Sequence, residues 1–130
     1  MILDLGCGGG RDLASFSQRA FNAVGLDAAL ELARIARTTS GCPVIVGDIL
    51  RLPFKDKSFD AVWASASLLH LHRDDIDIAL GLIKSALVGG GLFFSSLKMG
   101  TGETRTDDSQ FFTYFMPRDW ENAWHVQVSS

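Results

Sequence analysis

The sequence predicts an α/β fold: a Rossmann-like, doubly wound, mostly parallel sheet with helices on both faces. Three observations carry this. Short apolar runs alternate along the chain with stretches of helical periodicity. The first run enters a glycine turn, Gly6-Cys7-Gly8-Gly9-Gly10. The second run closes on an acid, Asp27.

The elements follow in order. Ile2-Leu3-Asp4-Leu5 reads as a buried strand ahead of the glycines. Leu13, Phe16 and Ala20 share one face of a first helix. Ala23 to Leu26 is a second strand, and residues 28–37 form a second helix with Ala29, Leu32, Ala33 and Ala36 on one face. Thr38 to Gly41 ends that helix, and Pro43 to Val46 is a third strand. Residues 50–58 are polar and turn-like, and Phe59 to Ala64 is a fourth strand. Ile76, Ala79, Leu80, Ile83 and Leu87 mark the clearest helix, with Asp74 as its N-cap and Gly89-Gly90-Gly91 as its stop. Leu92 to Leu97 is a fifth strand, and residues 98–110 read as a loop. Pro117 opens a short helix carrying Trp120, Ala123 and Trp124, with Val126 to Val128 as a short sixth strand.

The bulk properties set limits. The 130 residues suit one domain, residues 1–130. With 47% apolar and 21% charged residues, the chain is too apolar for disorder. No apolar window is long enough to span a membrane, and no basic-then-apolar leader precedes a cleavage site. A net charge of −3 does not indicate a strongly basic nucleic-acid surface and leaves room only for a local basic patch, so no nucleic-acid partner is expected. Cys7 and Cys42 have no metal-type spacing and suit a reducing cytoplasm. The three histidines are too few and scattered for a zinc site, so no metal is expected.

A glycine turn between strand and helix offers backbone N–H groups to an anionic ligand. Spacing separates the variants. No lysine follows these glycines, so a P-loop is excluded. The G-x-G-x-x-G dinucleotide pattern fails in both registers, where Arg11 and Leu13 stand at the third glycine. What remains is Asp4-x-Gly6-x-Gly8-x-Gly10 with Asp27 beyond it.

With these residues the chain resembles the class I S-adenosylmethionine-dependent methyltransferases. Gly47-Asp48-Ile49 resembles the family's adenine-contacting segment. Ser58-Phe59-Asp60-Ala61-Val62 resembles its fourth strand. Leu87-Val88-Gly89-Gly90-Gly91-Leu92 resembles the stretch usually written L-K-P-G-G, with Val88 and Gly89 where Lys and Pro are common. The likeness runs in order over residues 2–97 and more loosely to Trp124.

The resemblance implies S-adenosylmethionine as cofactor. Asp27 is placed for the ribose hydroxyls, about twenty residues past the turn, with Ala28 beside it. Asp48 suits the adenine amino group and the Ile49 N–H a ring nitrogen. The Gly6–Gly10 backbone would face the methionine part, Arg11 its carboxylate and the Ser65 carbonyl its ammonium. Plainer readings stand beside these. The three glycines also make a tight turn, Asp27 a cap for the second helix, Asp48 a turn acid and Arg11 a solvated residue. Asp4 either touches ligand or braces the turn.

Candidate catalytic residues are His70, His72 and Lys98, at the rim where sheet ligands bind; the histidines serve equally as packing. Phe111, Phe112, Tyr114 and Phe115 suit core or dimer packing, or a substrate lid. The place where enzymes acting on amino groups of DNA bases or of protein glutamine carry Asp/Asn-Pro-Pro-Tyr/Phe here reads Ala64-Ser65-Ala66-Ser67-Leu68-Leu69-His70. By resemblance, Ser65 to Leu71 and Phe112 to Tyr114 are closest to the small-molecule branch, which implies methyl transfer to a small-molecule acceptor. The rival readings are a cofactor-binding module without turnover and a regulatory subunit that needs a partner chain.

The family that the chain resembles has a core of seven strands and six or so helices, which with ordinary connections needs about 170 residues. The expectation is a truncated core lacking the N-terminal cap and the last strand or strands. An open edge at the fifth strand or at Val126 to Val128 then suggests a homodimer.

Overall fold

The computed structural model describes residues 1–65, 68, 71–95, 102–105 and 111–114. In chain order the elements are β1 (Ile2–Leu5), α1 (Arg11–Gln18), β2 (Ala23–Asp27), α2 (Leu30–Ser40) and β3 (Val44–Val46). A 3-10 turn (Ile49–Arg51) follows, then β4 (Phe59–Ala64), α3 (Arg73–Ala86), β5 (Leu87–Ser95), β6 (Gly102–Arg105) and β7 (Phe111–Tyr114).

β1 to β5 form one parallel sheet in the order β3-β2-β1-β4-β5. Alternation along β1 sorts its side chains between the two faces. Leu3 and Leu5 join Val62, Leu80 and Ile83 in the core beneath α3. Ile2 packs with Leu13, Ala33 and Ala36 beneath α1 and α2. The sheet is therefore covered on both sides, as predicted. Asp4 shares the α1 face with Ile2 by the same alternation. β1 lies between β2 and β4, so the chain reverses its direction across the sheet there. The crevice at the carboxyl ends of β1 and β4 is where such sheets bind ligands.

Several boundaries differ from the sequence expectation. α1 stops at Gln18, and Ala20 sits in the following turn with φ +63. α2 starts at Leu30 and runs to Ser40, where Gly41 takes φ +69 and closes it. The N-cap of α3 is His72 and not Asp74; Asp74 and Asp75 lie in the first turn, where acids favour the helix dipole.

The glycine run does not stop α3. Leu87 is already extended, and the chain passes straight into β5. Leu87 pairs with Phe59 and Leu92 with Ala61, so Val88 to Gly91 bulge opposite Asp60. A Cβ at Gly91 would lie 3.1 Å from the Asp60 carbonyl oxygen, which explains a glycine at this close approach. The segment read as a loop contains β6, which pairs antiparallel with β7. Among the described residues β5 is an edge strand, with Leu92 and Phe94 exposed. The expected helix at Trp120, Ala123 and Trp124 and the strand Val126 to Val128 lie outside the described residues. No helix among the described residues is long and apolar enough to cross a membrane.

Candidate functional site

The site starts at the turn after β1. Gly6, Gly8 and Gly10 all take positive φ. The Gly6 and Cys7 N–H groups donate to the Leu26 carbonyl at 2.8 and 3.0 Å, tying the turn to β2. Two of the glycines do opposite work. A Cβ on Gly8 (φ +55) would meet nothing within 4 Å, so this backbone borders open space. A Cβ on Gly10 (φ +89) would lie 2.7 Å from Ala36 Cα, so Gly10 lets the start of α1 press against α2.

Two cavities open at the carboxyl ends of β1, β2 and β4, and both are bordered by Gly6 and Ser65. The first, about 470 Å³, is bordered by Gly8, Asp27, Ala28, Asp48 and Ile49, with Leu32 and Leu71 as apolar walls. Asp27 Oδ2 accepts from the Gly8 N–H at 2.8 Å and Oδ1 from the Ala29 N–H at 2.9 Å. The N-cap of α2 is Ala29, so Asp27 orders the approach to the helix from two residues earlier. A carboxylate has about four acceptor positions, so two remain for ligand hydroxyls. Asp48 Oδ1 accepts from the Leu50 N–H at 2.9 Å and caps the 3-10 turn, which presents Ile49 to the cavity.

The second cavity, about 690 Å³, is bordered by Asp4, Cys7, Arg11, Asp12 and Ser15. Asp4 is 2% exposed, and its Oδ2 has no hydrogen-bond partner among the described residues. Burial pushes its carboxyl up to about 7, and the charges of Asp12 and Asp27 push the same way. Arg11 is exposed at the cavity's edge. Asp12 is held from across the sheet: the Trp63 Nε1–H donates to its Oδ2 at 3.0 Å. Trp63 stands beside Asp4 in the β1–β4 register. It stacks on Phe94 at 3.9 Å and meets the edge of Phe16 at 5.4 Å. Burial, with the charges of Asp4 and Asp27, lifts the Cys7 thiol to about 12, so it is a neutral wall and not a nucleophile.

Asp4, Gly6, Gly8, Arg11, Asp27, Ala28, Asp48, Ile49 and Ser65 thus converge on the two cavities. Gly10 stands apart and serves helix packing. His72 caps α3. His70 and Lys98 lie outside the described residues, as does Phe115. Among the described residues no cluster suits a metal ion. The expectations did not include Asp12, Trp63, Leu32 or Leu71 in the site. Asp12 carried a signal, an acid in the first helical turn directly after the glycines. The other three carried none, because their proximity depends on strand order and helix placement.

The donor set fits a ligand that carries both a ribose and an amino-acid end. The smaller cavity offers carboxylates to hydroxyls and an amine between apolar walls. The larger offers Arg11 to a carboxylate and buried acid to a cation, so S-adenosylmethionine fits the residues present.

Comparison with known proteins gives the same picture. Residues 2–91 match the family model described as a methyltransferase domain. A demethylmenaquinone methyltransferase of Thermobifida fusca is 35% identical over 99 residues, 71% of this chain and 41% of that protein. A probable tRNA methyltransferase 9B of Bos taurus is 38% identical over 92 residues, 70% of this chain and 20% of that protein. The chain therefore spans well under half the length of these curated relatives. The crystal structure of Burkholderia thailandensis 1,6-didemethyltoxoflavin-N1-methyltransferase, with bound 1,6-didemethyltoxoflavin and S-adenosylhomocysteine, superposes with a TM-score of 0.82. It covers 97% of this chain and 58% of that one at 21% identity, a likeness of fold.

Proposed function

The chain belongs to the class I S-adenosylmethionine-dependent methyltransferase family, and from that premise we propose that it catalyses methyl transfer from this cofactor to a small-molecule acceptor. The observation that carries the reading is the pair of cavities meeting at Gly6 and Ser65. One holds Asp27 and Asp48, the other Asp4 and Arg11, which matches the two chemically different ends of the cofactor. Family membership favours an enzyme over a cofactor-binding module or a regulatory subunit.

The cofactor supplies an electrophilic methyl group on a sulfonium. Asp27 binds the ribose hydroxyls with its remaining acceptor positions, and the Gly8 N–H keeps that carboxylate aimed. Asp48 and Ile49 orient the base between Leu32 and Leu71. Ala28 borders the same cavity. Arg11 pairs the carboxylate, and Asp4 and the Ser65 carbonyl take the ammonium. Gly10 supports this cradle from behind by packing on Ala36. Holding two reactants in line is worth about 7–11 kcal/mol in intramolecular models, so much of the catalysis needs no general base. His70, His72 and Lys98 remain the residues proposed to take a proton where an acceptor requires it.

The net charge of −3 and the four acids at the cleft, Asp4, Asp12, Asp27 and Asp48, support a small acceptor over a polyanion. The likeness to a protein named for tRNA favours a second reading, an RNA acceptor. Radiolabelled transfer to a panel of phenols, amines and quinols beside total tRNA separates the two. The edge that β5 leaves open among the described residues supports a homodimer, checked by sedimentation at micromolar concentration. Two free cysteines support a cytoplasmic, reducing setting.

Calorimetric titration with S-adenosylhomocysteine tests the cofactor claim. Micromolar-class binding is expected. Asp27→Ala is expected to weaken it by about 1.5–3 kcal/mol, the value of hydrogen bonds to a charged group. A folded sample that binds nothing overturns the reading.

A further inference from the structure

We propose that Asp4 is a proton-for-cation exchange site: it holds a proton in the ligand-free protein and releases it to solvent when the ligand's ammonium donates to Oδ2. This rests on the cofactor reading above. The geometry begins with Oδ2, buried at the larger cavity without a partner among the described residues. A buried carboxylate with no donor is costly, and protonation removes the charge.

Among the described residues, the groups around Asp4 explain why no donor quenches it. From α1, Asp12 faces it with like charge, and Arg11 stands exposed at the edge of the same cavity. From β2, Asp27 adds a second like charge. The turn contributes Cys7, a neutral thiol. β4 contributes Trp63 and Ser65, and α2 contributes Thr39; none of these carries charge. The indole N–H of Trp63, which stands beside Asp4 in the strand register, is already given to Asp12. Trp63 is thus a positioning residue: it fixes the Asp12 charge beside Asp4 and leaves Asp4 for an incoming donor. Arg11 borders the same cavity and suits a carboxylate. An ammonium and a carboxylate on one carbon, an α-amino acid end, match Asp4 and Arg11 together.

The exchange balances simply. The Asp4 O–H bond breaks and its proton goes to water. A hydrogen bond from the ligand's ammonium forms on the oxygen left behind. Ligand affinity must then fall as pH drops below the carboxyl's value of about 7. At pH 6 about one molecule in ten has Asp4 ionised, so affinity is about tenfold weaker than at pH 8.

The test is titration with S-adenosylhomocysteine at pH 6, 7 and 8 in two buffers of different ionisation enthalpy. The expected result is release of nearly one proton per ligand at pH 6, about half at pH 7 and almost none at pH 8. Asp4→Asn should show no release and a flat affinity. Trp63→Phe keeps the ring stack and frees Asp12, so the midpoint of release should move to lower pH, which a purely structural role would not produce. Carboxyl carbon NMR of the ligand-free wild type gives a check independent of any variant's folding. Asp4 should titrate near 7, and a midpoint in the ordinary carboxylate range overturns the proposal. Binding without proton release at pH 6 also overturns it and leaves the cofactor reading intact. No binding at pH 8 by a folded sample overturns that reading and this proposal with it.

Discussion

The burial of Asp4 has a consequence for stability that needs no ligand. In the folded chain its carboxyl is raised from 3.8 to about 7. The native state therefore keeps a proton that the unfolded state gives up. Stability from this group is fully present below pH 3.8 and is lost as pH rises to about 7. Each pH unit in that window costs about 1.4 kcal/mol. Between pH 5 and pH 7 the loss is about 2–3 kcal/mol, a large share of the roughly 5–15 kcal/mol that holds a domain folded. Asp4→Asn keeps the shape and cannot ionise. Its amide will carry a constant cost of about 1–3 kcal/mol where it lacks a partner, which does not change with pH. The quantity to follow is the difference between variant and wild type. Urea unfolding at pH 5, 6, 7 and 8 should show that difference shifting by about 2–3 kcal/mol in favour of the variant up to pH 7, then levelling. A difference that stays constant across the range would refute the argument that Asp4 is buried and without a donor.

Other expectations follow from the same geometry. Gly10→Ala combines φ +89 with a 2.7 Å contact to Ala36 and should cost well over the roughly 1–2 kcal/mol of left-handed strain alone. Gly8→Ala should cost only that strain, since its Cβ meets open space, while weakening binding of S-adenosylhomocysteine. Urea unfolding of the pair checks both, and equal losses would contradict the placement. Leu80→Ala empties a fully buried position on the inner face of α3 and should cost about 2–5 kcal/mol, read as a lower urea midpoint. Asp48→Ala removes the cap of the 3-10 turn, about 0.5–2 kcal/mol, and should weaken S-adenosylhomocysteine binding more than it lowers stability.

Much of the fold was legible because its signals are local. Strand and helix periods, the glycine turn and the acid closing β2 are each contained in about ten residues, and their order restricts the topology. One misplaced boundary has a clear cause. Gly89 to Gly91 carry the right chemistry for a helix stop, yet the pairing of Leu87 with Phe59 draws the chain into β5 before the glycines are reached. β6 has no apolar alternation in Gly102 to Arg105, and its pairing with β7 is what makes it a strand. A partner strand can impose extended structure where propensity is silent.

The sequence by itself determined the α/β class, the parallel order of elements and the positions of Gly6, Gly8, Asp27 and Asp48 at strand ends. These depend on spacing along the chain, and spacing is present before folding. Tertiary structure alone decided which glycine borders the cleft and which packs a helix. It alone brought Trp63 to Asp12 across 51 residues and left Asp4 buried among like charges without a donor among the described residues. Burial and long-range pairing depend on which strands become neighbours. That choice sets the dielectric and the charges around each group, and so what the group can do.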